Sequence, residues 1–321
     1  MRLLVLGGTG FVGRVAVSEA VARGWSVTVF NRGHGDPPPP GARVLLGDRT
    51  TPEGLAALAG EWDAVIDTWS AEASAVRTAA TALFGRVDHF VYVSSRSVYQ
   101  DLTMEEDGAL VNPAAPGYAA HKVGGELAAR DVFGERVLLA RAGLVLGPHE
   151  NVGRLPWWLN RIAAGGVVPA PAPPELGLQF IDVRDLAIWL LDHAALRTSG
   201  AYNLVSEPGH TTMGELLEAC RAVTGSPAQL RWIAPERILD AGVQPWNDLP
   251  IWIPEGHEAR AMHEVVPRRA LALGMRCRPA QDTVADTWRW LTDIGGTAPQ
   301  RMDRAPVGLS PLLESRLLAT G

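Results

Sequence analysis

Tyr118 and Lys122 are four residues apart in a segment with helical spacing, so their side chains are predicted to project from one face of a helix. A tyrosine hydroxyl is a weak base at neutral pH, and a neighbouring ammonium group stabilises its phenolate form. The pair therefore suits proton transfer to or from an alcohol or carbonyl oxygen. Ser95 precedes Tyr118 by 23 residues, at the predicted end of a strand, and its hydroxyl is a candidate donor to the same oxygen.

A second informative pattern opens the chain, where an apolar strand leads into Gly7-x-x-Gly10-x-x-Gly13 and then a helical pattern. A helix amino terminus has unpaired N–H groups, which bind the phosphates of a dinucleotide when no side chain blocks the turn. A second strand predicted over Ser26 to Phe30 completes a βαβ unit. The predicted phosphate-binding residues are Gly7, Thr9, Gly10, Phe11, Val12 and Gly13.

The end of the second strand carries Asn31 and Arg32, where the ribose of a bound dinucleotide lies in such folds. A carboxylate there would bind a free 2′-hydroxyl, whereas Asn31 and Arg32 tolerate or pair with a 2′-phosphate. The residues therefore favour NADP(H), with NAD(H) as the other possible cofactor. The alternative is that Arg32 is solvated and selectivity is loose.

Strands alternate with helices at short spacing along residues 1–148. This alternation predicts an α/β fold with a doubly wound parallel sheet of Rossmann type, which binds ligands beyond the carboxyl ends of its strands. The remaining cofactor-binding residues predicted at these ends are Asp48, Arg49, Thr68, Trp69 and Leu144.

The composition changes after residue 148, and tryptophan becomes frequent. We predict an NADP-binding Rossmann domain at 1–148 and a smaller C-terminal substrate lobe at 149–321, with 179–206 returning to the Rossmann domain and 297–321 forming a C-terminal tail. Substrate is expected in the cleft between the two. The tryptophans at 157, 158, 246 and 252 are expected either to line an apolar pocket or to form the core of the lobe.

Composition narrows the class of protein. Of 321 residues, 47% are apolar and the net charge is −6, which indicates a folded chain and argues against nucleic acid as the main partner. No apolar stretch approaches the roughly 20 residues of a membrane helix, and the apolar run before Gly7 is too short for a secretory signal. The two cysteines form no C-x-x-C motif, and no metal site is predicted. We expect a cytoplasmic protein without a membrane partner.

The chain resembles the short-chain dehydrogenase/reductase superfamily, in its extended or atypical branch, alongside proteins of the NAD-dependent epimerase/dehydratase type. Its matching motifs are Gly7 to Gly13, Val91 to Tyr99, Tyr118-x-x-x-Lys122, Arg141 with Gly147-Pro148, Phe180 to Ala187, and Tyr202 to Val205. The resemblance implies that Tyr118 is the catalytic acid/base, that Lys122 binds the nicotinamide ribose, and that Ser95 polarises the substrate oxygen.

The resemblance also implies a homodimer formed through the helix of Tyr118 and its neighbour. Within that helix, Gly124 and Gly125 each cost about 1 kcal/mol relative to alanine. Such a cost predicts that a neighbouring element packs closely against these two positions.

By the same resemblance, the expected function is that of an NAD(P)-dependent oxidoreductase, which transfers a hydride between nicotinamide and a secondary alcohol or ketone carbon. The alternatives are a sugar-nucleotide epimerase with tightly held NAD and a non-catalytic atypical member that binds NADP or RNA. Arg96-Ser97 replaces the Asp-Glu pair of sugar-nucleotide dehydratases, and Gln179 stands where sugar-nucleotide enzymes tend to have an arginine. We therefore expect a less charged small-molecule substrate.

Overall fold

The computed structural model describes residues 1–301 and 304–319. The chain forms two compact units. The first unit comprises residues 1–143, 183–205 and 267–276, and the second comprises 144–182, 206–266 and the described residues from 277 onward. The described residues of the predicted tail, 297–321, belong to the second unit, and residues 302, 303, 320 and 321 lie outside the described residues.

In chain order, the strands are β1 (Arg2–Leu6), β2 (Ser26–Asn31), β3 (Arg43–Leu46), β4 (Trp62–Asp67), β5 (Val87–Ser95), β6 (Val137–Ala142), β7 (Val145–Leu146), β8 (Val167–Pro171), β9 (Gly177–Leu178), β10 (Ile181–Asp182), β11 (Gly200–Leu204), β12 (Thr211–Thr212), β13 (Gln229–Ile233), β14 (Pro245–Trp246) and β15 (Leu249–Pro250).

The helices are α1 (Phe11–Ala22), α2 (Ala73–Leu83), α3 (Tyr118–Phe133), α4 (Arg154–Ala163), α5 (Val183–Ala195), α6 (Met213–Thr224), α7 (Pro235–Asp240), α8 (His257–His263), α9 (Arg268–Ala272), α10 (Ala280–Asp293) and α11 (Pro311–Ala319).

The first unit is built on a seven-stranded sheet with the order β11-β6-β5-β4-β1-β2-β3, in which every neighbouring pair is parallel. The strand order changes direction between β1 and β4, which makes this the switch point where doubly wound sheets bind ligands. Helix α1 packs with α5, and α2 packs with α3. The predicted doubly wound parallel sheet is confirmed.

The central strand β1 explains why the sheet forms. Residues Leu3 to Leu6 have no exposed surface, as expected for a parallel strand covered on both faces. Leu4 and Leu6 join a core cluster that also contains Val76 of α2 and Phe133 of α3. The continuous apolar run thus makes β1 a central strand and places the glycine turn after it at the middle of the carboxyl end of the sheet.

The second unit has a core rich in aromatic residues, over which α4, α6 and α10 pack against one another. Trp158 and Trp252 are fully buried in this core, and the indole of Trp158 donates to the carbonyl of Pro250 at 2.8 Å. Trp157 and Trp246 are partly buried against it. Trp158 and Trp252 are therefore core residues of the second unit.

Within the part of the chain that the structure describes, no helix has both the length and the apolar character that crossing a membrane requires.

Candidate cofactor and catalytic site

The glycine turn joins β1 to α1, which begins at Phe11. Gly7 has φ +92°, a conformation that side-chain-bearing residues rarely adopt. A Cβ added to Gly13 would lie 2.3 Å from the Gly7 carbonyl oxygen, so the first turn of α1 packs directly on the loop. At Gly10, in contrast, a Cβ would meet only the Gly7 carbonyl oxygen, at 3.8 Å. The loop therefore leaves space over the helix amino terminus, which fits a phosphate group.

A cavity of about 300 Å³ lies beside this loop, and its walls come from residues at the carboxyl ends of β1, β2, β3 and β4. The predicted cofactor residues that line it are Gly7, Thr9, Asn31, Arg32, Asp48, Arg49, Thr68 and Trp69. Phe11 and Val12 begin α1 and provide its amino-terminal backbone. The structure thus collects most of the predicted cofactor residues around one cavity.

The wall at the end of β2 is cationic in character. The side-chain oxygen of Asn31 accepts a hydrogen bond from the Gly33 N–H at 2.8 Å, which fixes the turn after the strand. Arg32 and His34 follow it, and both are exposed and line the cavity. No pattern in the sequence pointed to His34.

Asp48 adds a carboxylate to the same cavity. One of its oxygens accepts hydrogen bonds from the backbone N–H and the hydroxyl of Thr50, at 2.9 and 2.7 Å. These hydrogen bonds, with smaller contributions from the charges of Arg32 and His34, lower the pKa of Asp48. The carboxylate is therefore ionised at neutral pH and can accept a hydrogen bond from a ligand.

Arg49 lines the cavity with a guanidinium that is already bound within the fold. It donates to both oxygens of the buried Asp67, each at 2.6 Å, and lies 5.0 Å from the ring centroid of Trp69. The Trp69 N–H in turn donates to Asp67 at 2.9 Å. Arg49 therefore shapes the cavity wall, with its charge balanced by Asp67.

The predicted catalytic residues lie on neighbouring elements of the same unit. Tyr118 is the first residue of α3 and is 38% exposed, whereas Lys122 is 2% exposed. The Lys122 ammonium lies 6.0 Å from the centroid of the Tyr118 ring. Ser95 ends β5, and its hydroxyl oxygen accepts a hydrogen bond from the Ser97 N–H at 3.1 Å. The predicted Tyr–Lys arrangement on one helix face is present.

The Lys122 ammonium is held by backbone carbonyls at the sheet edge. It donates to the Val93 oxygen of β5 at 2.6 Å and to the Trp69 oxygen, just beyond β4, at 2.5 Å. The ring of Tyr92 lies 4.8 Å from the ammonium, and the Tyr92 hydroxyl donates to the same Trp69 oxygen at 3.0 Å. Burial raises the pKa of Tyr92 well above its usual range, so this residue stays a neutral donor.

The two glycines inside α3 allow close contact on two sides. A Cβ on Gly124 would lie 2.7 Å from the Cβ of Ala73 in α2, and a Cβ on Gly125 would lie 2.2 Å from the Tyr92 hydroxyl oxygen. The prediction of a closely packed neighbour is confirmed at both positions.

A buried ion pair behind the catalytic helix was not predicted from the sequence. Glu126 of α3 accepts hydrogen bonds from Arg141 of β6 at 2.9 and 2.7 Å, and from the Ser94 hydroxyl at 2.6 Å. Burial opposes the charge of Arg141, but the hydrogen bonds and charge of Glu126, together with Tyr99, outweigh burial and raise the pKa of Arg141. Because Glu126 follows Lys122 by one turn, the helical spacing could have placed it on the buried face.

This ion pair continues into a buried hydrogen-bond network. Arg141 also donates to the Tyr99 hydroxyl and to the Glu106 carbonyl, each at 2.9 Å. The Tyr99 hydroxyl donates to the Asn203 side chain at 2.8 Å, and the Glu106 carboxylate accepts the Asn203 N–H at 3.0 Å. The network joins α3, β6 and β11 behind the predicted catalytic residues.

Two residues singled out in the sequence belong to the second unit. Leu144 is buried in its core, and its carbonyl accepts the Ile181 N–H at 2.8 Å. Gln179 is fully buried, and its amide group donates to the Ser206 and Val265 carbonyls at 2.6 and 2.8 Å. The Gln179 side chain is therefore used to join backbone segments of the second unit.

Among residues 1–301 and 304–319, no group of three or more His, Cys, Asp or Glu side chains is arranged to hold a metal ion.

Residues 3–204 match the sequence profile of the NAD dependent epimerase/dehydratase family. The chain belongs to this family. A relative from Bos taurus, epimerase family protein SDR39U1, is 30% identical over 310 residues, an alignment that covers 86% of this chain and 95% of the relative.

Solved structures of similar fold include WbmH of Bordetella bronchiseptica in complex with NAD+, with a TM-score of 0.71, 19% identity, and coverage of 92% of this chain and 99% of that one. UDP-glucose 4-epimerase of Thermotoga maritima with UDP-glucose has a TM-score of 0.68 and 15% identity, and the match covers 92% of this chain and 99% of that one. The Thermus thermophilus UDP-glucose 4-epimerase in complex with NAD has a TM-score of 0.63 and 20% identity, and the match covers 91% of this chain and 99% of that one. At these identities, the similarity concerns the fold.

Proposed function

We propose that the protein is an NAD(P)-dependent oxidoreductase of the short-chain type, acting on a secondary alcohol or ketone of a small molecule. The observation that carries this proposal is the Tyr118–Lys122 pair on α3, with Lys122 bound to carbonyls at the carboxyl ends of β4 and β5. The glycine loop and its cavity belong to the same unit. When bound, the cofactor gives or takes a hydride at C4 of its nicotinamide ring.

Each catalytic residue has a separate task in this proposal. The exposed Tyr118 hydroxyl transfers the proton to or from the substrate oxygen. The Lys122 ammonium stabilises the phenolate form by its charge and binds the nicotinamide ribose. The Ser95 hydroxyl donates a hydrogen bond to the substrate oxygen and so holds the reacting carbon in place.

For the cofactor, we propose that NADP(H) is preferred. The end of β2 carries Asn31 and Arg32 where a carboxylate would bind a free 2′-hydroxyl, and both residues line the cavity together with His34. NAD(H) is the competing choice, since the name of the family refers to NAD and two of the solved structures with a similar fold contain bound NAD. Relative affinity for the two cofactors decides between them.

Epimerisation is the second candidate function, and the comparisons favour it. The Thermotoga and Thermus relatives are UDP-glucose 4-epimerases, and the Bos taurus relative is an epimerase family protein. An epimerase oxidises and reduces the same carbon, so it produces no net change in free cofactor. The side chain of Gln179 is neutral, and its amide group is hydrogen-bonded within the fold. This favours a substrate that has no diphosphate to bind at this position.

We further propose a homodimer formed through α2 and α3. Leu127 of α3 is 40% exposed, and Phe84, the residue after α2, is 55% exposed. Light scattering coupled to size-exclusion chromatography tests this proposal, and a monomer at micromolar concentration contradicts it.

The test of function is a screen of secondary alcohols and ketones for a change in nicotinamide absorbance, followed by variants on the best substrate. Tyr118→Phe should lower turnover at least about a hundredfold, because acid–base catalysis supplies factors of that size. Tyr202→Phe is the control, since that hydroxyl donates to the Ser199 carbonyl at 2.9 Å and has no proposed catalytic role. Turnover within about tenfold of wild type in Tyr118→Phe would show that the acid/base assignment is wrong.

A further inference from the structure

The carbonyl of Trp69 connects a residue that lines the cofactor cavity to the catalytic helix. It accepts the Lys122 ammonium at 2.5 Å and the Tyr92 hydroxyl at 3.0 Å. The same residue lines the cavity. A change in the orientation of this one carbonyl would therefore move the ammonium that sits beside Tyr118.

The rest of Trp69 is fixed by contacts on the cavity side. Its N–H donates to Asp67 at 2.9 Å, its indole donates to the Glu72 carbonyl at 3.0 Å, and its ring lies against Arg49. These contacts hold the residue from one side. On the helix side, the Tyr92 hydroxyl fixes the direction of the carbonyl itself.

Tyr92 reaches this carbonyl because α3 has no side chain in its path. The Tyr92 hydroxyl oxygen would lie 2.2 Å from a Cβ on Gly125, so any larger residue there would displace it. The Tyr92 side chain is completely buried, and the face of its ring lies 4.8 Å from the Lys122 ammonium. Tyr92 thus contacts Lys122 in two ways, through its ring directly and through its hydroxyl by the shared carbonyl.

We propose that Tyr92 is a positioning residue, whose hydroxyl holds the Trp69 carbonyl and thereby sets the place of the Lys122 ammonium relative to the bound cofactor. This inference rests on the proposed function, in which Lys122 binds the nicotinamide ribose. It predicts that the Tyr92 hydroxyl matters for the nicotinamide half of the cofactor and not for the adenosine half.

The experiment measures dissociation constants by tryptophan fluorescence quenching, for NADPH and for 2′,5′-ADP, which lacks the nicotinamide half. Tyr92→Phe should weaken NADPH binding about three- to tenfold, the range expected for one hydrogen bond, and leave 2′,5′-ADP within about twofold. The matched control is Tyr202→Phe, which removes another hydroxyl that donates to a backbone carbonyl of the first unit and should leave both constants unchanged.

A double-mutant cycle then tests whether Tyr92 acts through Lys122. In a Lys122→Met background, Tyr92→Phe should no longer weaken NADPH binding. Lys122→Gln is the second background, in case the methionine variant does not fold. An effect of Tyr92→Phe that persists in the Lys122 variants, or an equal loss of 2′,5′-ADP affinity, would overturn the proposal. Wild-type protein that binds neither NADPH nor NADH would instead refute the proposed function, and this inference with it.

Discussion

The carboxylate of Glu126 is bound through both of its oxygens by the guanidinium of Arg141, and both side chains are almost completely buried, at 1% and 2% exposed. Since Glu126 lies on α3 and Arg141 on β6, the ion pair joins the helix that carries Tyr118 and Lys122 to the sheet. Removal of one partner of such a pair leaves the other charge buried and uncompensated.

We therefore expect Arg141→Met to lower the free energy of unfolding by about 3–5 kcal/mol, measured by urea denaturation. The control is Arg221→Met, which breaks a pair with Glu218 whose side chains are 46% and 51% exposed and should cost less than about 1 kcal/mol. Equal losses in the two variants would contradict the structural role of the buried pair.

The glycine loop gives a second prediction, which separates folding from cofactor binding. In Gly13→Ala, the new Cβ would meet the Gly7 carbonyl at 2.3 Å, so the melting temperature and NADPH affinity should both fall. In Gly10→Ala, the Cβ would have only a 3.8 Å contact, and the backbone of residue 10 is extended, with φ −83°. We expect a melting temperature close to wild type and NADPH binding at least about tenfold weaker, because the Cβ fills the phosphate space. Unchanged binding in Gly10→Ala would argue against a phosphate there.

Cofactor choice gives a third prediction. Arg32→Ala should weaken NADPH binding about tenfold and change NADH binding little, since only NADPH has a 2′-phosphate to pair with the guanidinium. Arg43→Ala is the control, because Arg43 is exposed on β3 and is not among the residues that line the cavity. Dissociation constants at low and high salt measure the effect. Tighter binding of NADH than NADPH by the wild-type protein would show that the predicted preference is wrong.

The fourth prediction concerns pH and a histidine in the sheet. His89 of β5 is 1% exposed, and burial, aided by the charge of Arg197, lowers its pKa from 6.5 to about 4. Between these values, the unfolded chain binds a proton that the folded chain does not. The stability should therefore fall as the pH decreases from about 6.5 to 4, by up to about 3 kcal/mol.

The measurement is the free energy of unfolding in urea between pH 4 and 8. In His89→Asn, which keeps a side-chain amide donor in place of the ring, the slope over this range should be smaller than in wild type. His34→Asn changes an exposed histidine and should keep the wild-type slope. An unchanged slope in His89→Asn would mean that other groups cause the pH dependence.

Local patterns were enough to predict part of this molecule. The apolar run of β1, the glycines after it and the helical spacing of Tyr118 and Lys122 involve residues close in sequence, and the structure contains all three features. The alternation of strands and helices predicted the parallel sheet for the same reason.

Contacts between distant residues could not be predicted in this way. The carbonyl partners of Lys122 come from Trp69 and Val93, and only the strand order brings them to the helix. Similarly, the sequence predicts Arg49 as a cofactor-binding residue, and only the fold shows that Asp67 pairs with its guanidinium. The contribution of residues 267–276 to the first unit also had no local signal.

The central claim is that a nicotinamide dinucleotide binds along the glycine loop with its pyridine ring beside Tyr118. A crystal structure of the protein soaked with NADPH tests it most directly. We predict that the adenosine half lies in the cavity between Asn31 and Asp48 and that the pyrophosphate lies over Gly10. The nicotinamide should leave room for a substrate carbon about 3–3.5 Å from its C4 atom, with the oxygen on that carbon hydrogen-bonded to Tyr118. A cofactor bound elsewhere, or a ring turned away from the Tyr118 hydroxyl, would contradict the account.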